Sequence, residues 1–193
     1  MHHIYHTEGL ILSSRNFGEA GKYYRIFTRD LGMINASAQG VRKMSSKLRF
    51  ILQDFSYVKV DLVKGKDFWR LTSASKTNQL EKLAKDPQKF AIFANISRLL
   101  KRLLAGEEPN SDLFDDLKNG LKILETFSDS KDLKNIEALL VLRILGRLGY
   151  IGDADALLGW VQSPFGEDLV READKKRSII LREINKALKE TQL

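Results

Sequence analysis

The spacing of apolar residues changes near residue 80. Before that point, short apolar runs alternate with polar residues at a period of two, which is typical of half-buried β-strands. After it, apolar residues recur at steps of three and four, as on one face of a helix. We therefore expect two domains, a strand-rich module over residues 1–79 and a helical domain over residues 80–193. No linker rich in Pro, Gly or Ser separates them, so we expect the two domains to pack against each other.

The first module contains five candidate strands. Their apolar, aromatic and β-branched runs lie at residues 10–12, 23–28, 33–38, 57–63 and 68–72. In the fourth run, alternation places Val58, Val60 and Leu62 on one face. A short Gly-containing connection at residues 64–67 predicts that the last two strands form a hairpin. Five short strands without long helices between most of them predict a small closed or nearly closed barrel.

The remainder of the chain predicts helices. Asp86 followed by Pro87 is a typical N-cap and first helical position, and that helix ends before Gly106. Two further helices open at residues 111–112 and at residue 132. The second of these two is apolar around much of its girth, which favours a central place in a bundle, and Gly149 is suited to its C-terminal cap.

Two more helices are predicted near the end of the sequence. A short helix covers residues 153–161, and an amphipathic helix starts at Ser178. The predicted fold class is therefore α+β, an N-terminal small β-barrel followed by an all-α domain.

Composition removes several classes of protein. The chain has 193 residues and no cysteine, which excludes disulfide frameworks, thiolate zinc sites and cysteine nucleophiles. No apolar run approaches the roughly 18 residues that a membrane span needs, and no secretory leader pattern opens the chain, so we expect a cytoplasmic protein without a membrane partner.

The positive charge is confined to the first module. Residues 1–79 hold 13 Lys and Arg against six Asp and Glu, whereas the remainder holds 19 of each kind. The whole net charge of +7 therefore belongs to the predicted barrel. Such an excess fits a surface that meets a polyanion, and it equally fits a solvated basic surface that keeps the protein soluble.

The sequence contains few residues that could form a catalytic site. All three histidines, His2, His3 and His6, lie at the N-terminus, so serine–histidine and cysteine–histidine sites lack a base in the body of the chain. Adjacent acids such as Asp115 and Asp116 fall near predicted helix starts, where they complement the helix dipole. No phosphate loop, dinucleotide fingerprint or metal-ligand spacing is present. We therefore expect no enzyme, no cofactor and no metal.

The most informative segment is the basic loop, residues 40–50. It begins at a glycine, carries four cations in eight residues and ends on Phe50. Its composition suits a flexible connection between strands whose cations, serine hydroxyls and backbone amides contact phosphates. The four cations are Arg42, Lys43, Lys47 and Arg49.

Aromatic residues are frequent around this loop. Proteins that bind single-stranded nucleic acid combine cations along the backbone with rings that stack on bases. At least half of the rings, including Phe27 and Phe55, are expected to fill the barrel core. Tyr and Trp side chains are the better candidates for partial exposure. The predicted binding residues are Arg15, Lys22, Arg42, Lys43, Lys47, Arg49, Lys64, Lys66, Arg70, Tyr24 and Trp69.

An ordered series of short motifs resembles the N-terminal domain of the RecO family of bacterial recombination mediators. The series is EGLIL at 8–12, RNFGE at 15–19, GVRK at 40–43, SK at 46–47 and LQDF at 52–55, with Thr28, Gly32, Ala36 and Ala38 between them. The helical half is similar to the family more loosely, through LRIL at 142–145 and LGY at 148–150, followed by Asp153.

The resemblance implies an OB-fold followed by a helical domain. It also implies binding to single- and double-stranded DNA, annealing of complementary strands and partnership with RecR. The family further engages the acidic, hydrophobic tail of single-stranded-DNA-binding protein and so helps to load RecA at gaps. On this basis we expect a cytoplasmic, nucleoid-associated bacterial protein that acts in DNA repair and recombination.

The sequence departs from the family pattern at two places. Gly21 stands where an acidic residue is common, and residues 152–165 hold none of the four cysteines with which many members bind zinc. Basic residues of the helical half could pair with an acidic partner peptide, or simply with acids on neighbouring helix turns. These are Arg98, Lys101, Arg102, Arg143 and Arg147.

Two alternatives to a DNA mediator remain open from the residues alone. An OB-type module for structured RNA would need the same cations and rings, because both polymers present phosphates and stackable bases. A protein-interaction scaffold would use the helical half for partners and the basic face for an acidic peptide.

Overall fold

The computed structural model of the protein describes residues 3–77, 79–151 and 155–190. Five strands form its first part: β1 (Ile4–Phe17), β2 (Gly21–Thr28), β3 (Gly32–Ala38), β4 (Tyr57–Lys64) and β5 (Trp69–Lys76). They lie where the sequence predicts strands, although β1 is a 14-residue strand rather than a three-residue run. Its polar second half extends the strand because β2 pairs with it as far as Phe17.

The strands close into a barrel in the order β1-β2-β3-β5-β4. Three antiparallel pairs join β1 to β2, β2 to β3 and β4 to β5. Closure comes from the antiparallel pair of β1 with β4 and from a short parallel pair between β3 and β5. The predicted β4–β5 hairpin is confirmed. Val58, Val60 and Leu62 face the interior as their alternation predicts, together with Ile26 and Ile34. This five-stranded closed barrel is an OB-fold.

The described residues also form a short 3-10 helix (Leu83–Lys85) and six α-helices: α1 (Leu48–Ile51), α2 (Pro87–Leu103), α3 (Ser111–Thr126), α4 (Ser130–Arg147), α5 (Asp155–Gln162) and α6 (Glu167–Glu190). Asp86 is the predicted N-cap of α2, where its carboxylate accepts hydrogen bonds from two backbone amides. Helix α4 packs against α2, α3, α5 and α6, so its predicted central place is confirmed.

The helix boundaries near the C-terminus differ from the prediction. Helix α6 begins at Glu167 instead of Ser178, because Leu169 and Ala173 continue the buried face formed by Ile180 and Ile184. Exposed charges at residues 171–177 hide this continuity in the sequence. The predicted start of the short helix, Asp153, lies outside the described residues.

The barrel and the helices share one hydrophobic cluster. Leu10, Leu12 and Phe27, on the outer surface of the barrel, belong to the same cluster as the helical core. The Phe27 ring lies 5.6 Å from the ring of Phe114 on α3. The expectation that the two parts pack together is confirmed, and the boundary at residue 79 stays a prediction.

Gly32 shows how close this packing is. Its φ is +69°, and a Cβ there would overlap the backbone of Glu108 in the loop between α2 and α3. The neighbouring Met33 amide donates to the carbonyl of Gly106 over 3.1 Å. The turn between β2 and β3 is thereby held against the helical half.

Candidate nucleic-acid interface

A β-bulge in β1 determines which side chains face outward. The pairing of β1 with β2 shifts between Ile11 and Ser13, so Leu12 is an extra residue on β1. A bulge reverses the alternation of the strand beyond it. Leu12 therefore packs on the helices, and Arg15 beyond it lies beside Tyr23 on the outer surface of the barrel.

One row of outward side chains crosses four strands. Arg15 on β1 pairs with Tyr23 on β2, Tyr23 pairs with Ser37 on β3, and Ser37 pairs with Arg70 on β5. The Arg15 guanidinium lies 5.1 Å from the centre of the Tyr23 ring. Cations at both ends of a row with a ring in its middle can bind phosphates and a base together.

A groove follows this row. This aromatic groove has a volume of about 310 Å³. Its lining residues are Ser13, Ser14, Arg15, Tyr23, Tyr24, Arg25, Asn35 and Phe68. They come from β1, β2, β3 and the β4–β5 loop, on the face that OB-folds use for oligonucleotides.

Three rings form a continuous strip along the groove. Phe17 stacks on Tyr23 at a centroid distance of 4.2 Å, and Phe68 lies 4.9 Å beyond Tyr23. Gly21 makes room for this arrangement, because a Cβ there would lie 2.5 Å from the Phe17 ring. The glycine that departs from the family pattern therefore has a packing role beside the groove.

The basic loop adjoins the aromatic groove through the β1–β2 turn. The Arg42 amide donates to the carbonyl of Ala20 over 3.0 Å, and the Arg42 guanidinium donates to the carbonyl of Gly18 over 3.4 Å. Val41 and Leu52 are buried in the barrel cluster on either side of the exposed cations. The segment is thus folded into successive turns and ends in a short helix, α1, which the sequence does not predict there.

Eight of the predicted cations have no ion-pair partner within the part of the chain that the structure describes. These are Arg15, Lys22, Arg42, Lys43, Lys47, Arg49, Lys66 and Arg70. Lys22 donates to the Ser14 hydroxyl over 3.3 Å. Unpaired surface cations on one end of a barrel create a positive field that attracts polyanions.

The predicted exposure of Tyr24 and Trp69 is wrong. Both side chains lie in the barrel core, with exposures of 1% and 3%. The Trp69 Nε1 donates to Glu107 over 2.9 Å, and burial together with the charge of Asp54 raises the pKa of Tyr24 to about 12. Neither ring can stack on a base, because strand alternation points both of them inward.

Phe27 and Phe55 were expected in the barrel core and lie elsewhere. Both contact helices: Phe27 packs on α3, and Phe55 lies 5.0 Å from Phe90 and 5.5 Å from Phe93 on α2. The two rings therefore fill the contact between barrel and helices. Their aromatic character predicts burial, but the sequence does not say in which of two cores.

Lys64 differs from the other predicted cations. Its ammonium forms an ion pair of 3.1 Å with Glu107, whose second carboxylate oxygen accepts from Trp69. Glu107 belongs to the loop between α2 and α3, so this group connects the barrel to the helical half. The charge of Lys64 is largely matched before any ligand binds.

Part of the groove is formed by residues of β2, β3 and the β4–β5 loop. Tyr23, Phe68, Arg25 and Asn35 line the groove, and none of them was among the predicted binding residues. Arg25 also donates to the carbonyl of Leu104 at the end of α2 over 3.3 Å. Neighbouring residues of a strand face opposite sides, so the sequence predicts that Tyr23 and Tyr24 point in opposite directions. It does not say which of the two points into the barrel.

The arginines of α4 are structural. Arg143 is buried and donates to Asp116 and to the carbonyls of Trp160 and Ser163, while Arg147 donates to Asp116 over 2.8 Å. Burial lowers the pKa of Arg143, and the nearby Asp116 carboxylate opposes that shift. Arg143 therefore cannot reach a partner peptide, which corrects its inclusion among the candidates.

Two further observations concern the described residues only. No helix there is both long and apolar enough to cross a membrane. No group of three or more His, Asp or Glu side chains there is placed to hold a metal ion.

Family models match most of the chain. The model described as "Recombination protein O N terminal" matches residues 1–80, and the one described as "Recombination protein O C terminal" matches residues 84–156. The first match covers the barrel with its aromatic groove and basic loop. The second covers α2 to α4.

Curated relatives give the same result. The chain is 33% identical over 147 residues to "DNA repair protein RecO" of Heliobacterium modesticaldum, a match that covers 76% of this chain and 52% of the relative. It is 26% identical to the protein of that name from Caldanaerobacter subterraneus subsp. tengcongensis, over 78% of this chain and 60% of the relative. The chain thus spans between half and two thirds of the length of these relatives.

Proposed function

Because the chain belongs to the RecO family of DNA repair proteins, we propose that it binds single- and double-stranded DNA and anneals complementary strands without catalysing a reaction. The observation that carries this proposal is the outward row of Arg15, Tyr23, Ser37 and Arg70. The Tyr23 ring in the row would stack on a base, and the flanking guanidinium groups would bind phosphates. Neither contact depends on base identity, as annealing of any sequence requires.

The basic loop extends this proposed site. Its four cations carry no ion pair in the described structure, and Arg42 joins them to the β1–β2 turn beside the aromatic groove. Phosphate contacts of this kind position a strand but carry no sequence information. We therefore assign the groove to single strands and the loop to the backbone of either form of DNA.

We extend the proposal to partners by the family resemblance. The protein would act in the cytoplasm with RecR, engage the tail of single-stranded-DNA-binding protein and help to load RecA. A groove of about 180 Å³ between α4 and α6 supports the second of these partners. It is lined by Ala138, Val141, Leu181 and Ile184, by the cations Lys134 and Arg177, and by one acid, Glu137. Apolar residues with more cations than acids suit an acidic peptide with apolar ends.

A salt titration tests DNA binding. With four to six phosphates neutralised, the log of the affinity for single-stranded DNA should fall against log salt with a slope of about −3 to −4. A triple variant, Arg42→Ala, Lys43→Ala and Lys47→Ala, should bind more weakly across all sequences and have a slope smaller in magnitude by about 2. An affinity independent of salt would refute the proposal.

An annealing assay separates the DNA function from the partner function. Bare complementary strands and strands coated with single-stranded-DNA-binding protein are compared in one buffer. Acceleration of bare strands alone would support DNA binding but not the partner, whereas acceleration of coated strands would support both. Tighter binding to matched RNA oligomers than to DNA would instead favour the RNA module.

A further inference from the structure

The basic loop carries the two most exposed large apolar side chains of the described protein. Met44 is 82% exposed and Phe50 is 61% exposed. Single exposed apolar residues are ordinary on protein surfaces, but these two occupy one short segment among four cations. Nothing in the packing of the barrel requires them to be apolar.

Arg49 joins the two side chains into one surface. Its guanidinium lies 4.6 Å from the centre of the Phe50 ring, and its Nη1 lies 2.9 Å from the Met44 sulfur. We define these three residues as the apolar cap. A flat guanidinium, a ring and a thioether side by side present a surface on which a planar group can stack.

We propose that the apolar cap stacks on the exposed terminal base pair of a duplex whose unpaired strand continues into the aromatic groove. This proposal rests on the DNA-binding function proposed above. Phe and Met are among the side chains that stack on or between base steps, and arginine planes stack on bases as well. The three remaining cations of the loop, Arg42, Lys43 and Lys47, would bind the phosphates that flank that base pair.

Continuity with the groove favours a junction between duplex and single strand. Arg42 contacts the β1–β2 turn at Gly18 and Ala20, and Phe17, at the start of that turn, begins the ring strip. A strand leaving the cap would therefore reach the rings of the groove directly. During annealing, this arrangement would hold the end of the growing duplex next to the strand still unpaired.

A protein partner fits the cap less well. A stable protein interface buries about 800 Å² on each side, which two apolar side chains cannot supply. The surrounding cations carry no ion pairs in the described structure, and they would leave an apolar partner surface unfavourably placed beside four charges. A base pair offers both a flat apolar face and phosphates at its edge.

The test compares three DNA molecules with the full-length protein. They are a single strand, a duplex carrying that strand as a tail, and a closed dumbbell duplex without free ends. The double variant Met44→Ala, Phe50→Ala keeps all four cations. Phe90→Ala, which removes a partly exposed ring from α2, is the matched control. Binding is followed by anisotropy, and 2-aminopurine in the terminal base pair reports stacking.

The double variant should bind the tailed duplex about 5- to 30-fold more weakly, as expected for the loss of one or two stacking contacts. Its affinity for the single strand and the dumbbell should change less than about twofold on the same basis. The 2-aminopurine signal should change on binding of the wild type and of Phe90→Ala but not of the double variant.

Three results would overturn the proposal. Equal losses on all three DNA molecules would assign the two residues to general binding or to folding, and unchanged affinities would remove the cap from the site. A wild type that self-associates through these residues, with DNA binding intact in the double variant, would make the cap a protein interface. A wild type that binds none of the DNA molecules would refute the proposed function itself.

Discussion

Arginines have opposite surroundings in the two halves of the protein. Arg143 and Arg147 on α4 lie against the buried carboxylate of Asp116, whereas Arg15 and Arg42 on the barrel have no carboxylate partner in the described structure. Arg143 and Arg147 therefore stabilise the fold, whereas Arg15 and Arg42 are free to bind a ligand. Arg29 of the barrel belongs with the first kind, because it pairs with Asp115 of α3 over 2.8 Å.

This difference shows why total charge is a poor guide to function. The helical half has as many bases as acids, and several of its arginines are committed to ion pairs. The barrel has an excess of bases, and those at one end face solvent around a groove. A polyanion is attracted by the unpaired bases of the barrel, because paired charges produce little field at a distance.

The largest change in stability is expected from removing Asp116, the carboxylate that pairs with the buried Arg143. Asp116→Ala should lower the free energy of unfolding by about 3–5 kcal/mol, because it leaves the charge of Arg143 buried without a partner. Chemical denaturation measures this loss. Replacing both partners, as in Asp116→Leu with Arg143→Met, should recover much of it. If Asp116→Ala were as stable as Arg15→Ala, the contrast between the two kinds of arginine would fail.

Tyr23 and Tyr24 are neighbours with opposite orientations, and they sharpen the comparison within the barrel. Tyr23→Ala should weaken binding of single-stranded DNA by about 1–3 kcal/mol through loss of stacking. The ring faces outward but packs against Phe17 and Phe68, so chemical denaturation should show a smaller loss of stability than for a residue of the core. Fluorescence anisotropy measures the affinity. The tyrosine would not be a stacking site if Tyr23→Ala bound DNA as the wild type does.

A carboxylate added to the groove should pair with its arginines, as Asp116 does with the arginines of α4. Asn35 pairs with Arg25 across β2 and β3 and lines the aromatic groove. Asn35→Asp should weaken DNA binding by about 1 kcal/mol at low salt, the scale of one charge contact near water. The difference from wild type should shrink as salt screens the charges. Asn35→Ala is the neutral control, and equal losses in both variants would contradict an electrostatic cause.

The smallest change in stability and in DNA affinity is expected from Tyr24→Phe. Its buried hydroxyl has no hydrogen-bond partner in the described structure, so Tyr24→Phe should change stability at pH 7 by less than about 1 kcal/mol. DNA affinity should stay unchanged, since the ring is in the core.

The pKa of Tyr24 adds a pH dependence to this prediction. Because burial raises it to about 12, an unfolded tyrosine ionises near pH 10 while the folded one keeps its proton. The contribution of Tyr24 to the free energy of unfolding should therefore be fully present below pH 10 and be lost between pH 10 and 12. Tyr24→Phe should make that fall shallower, and Tyr57, whose pKa is also raised, should account for part of the remainder. A slope unchanged in Tyr24→Phe would mean that Tyr24 ionises normally.

Much of the fold was predictable because periodicity reports burial. The inward face of β4, the Asp86 cap and the central place of α4 follow from the pattern of residue types alone. The basic loop was equally visible, since four cations in eight residues need no structural context. The motifs that resemble the RecO family depend on residue identity and order, and the family comparison confirms them.

The aromatic site was not predictable in the same way. A single extra residue at Leu12 decides that Arg15 of β1 faces outward. Strand pairing decides that Tyr23, which is partly buried, faces outward and that Tyr24 lies in the core. Likewise the sequence favours an exposed Trp69, but the indole nitrogen is satisfied by Glu107, which lies far along the chain. A binding site made from several strands depends on their register.

The sequence by itself determined the order of barrel and helices, the confinement of net charge to the first 79 residues and the RecO resemblance, because each depends on local composition or motif order. The tertiary structure alone decided which cations are paired and which rings are exposed. Pairing and exposure depend on contacts between distant residues, such as Arg143 with Asp116, Trp69 with Glu107 and Phe27 with Phe114. No local pattern records those contacts.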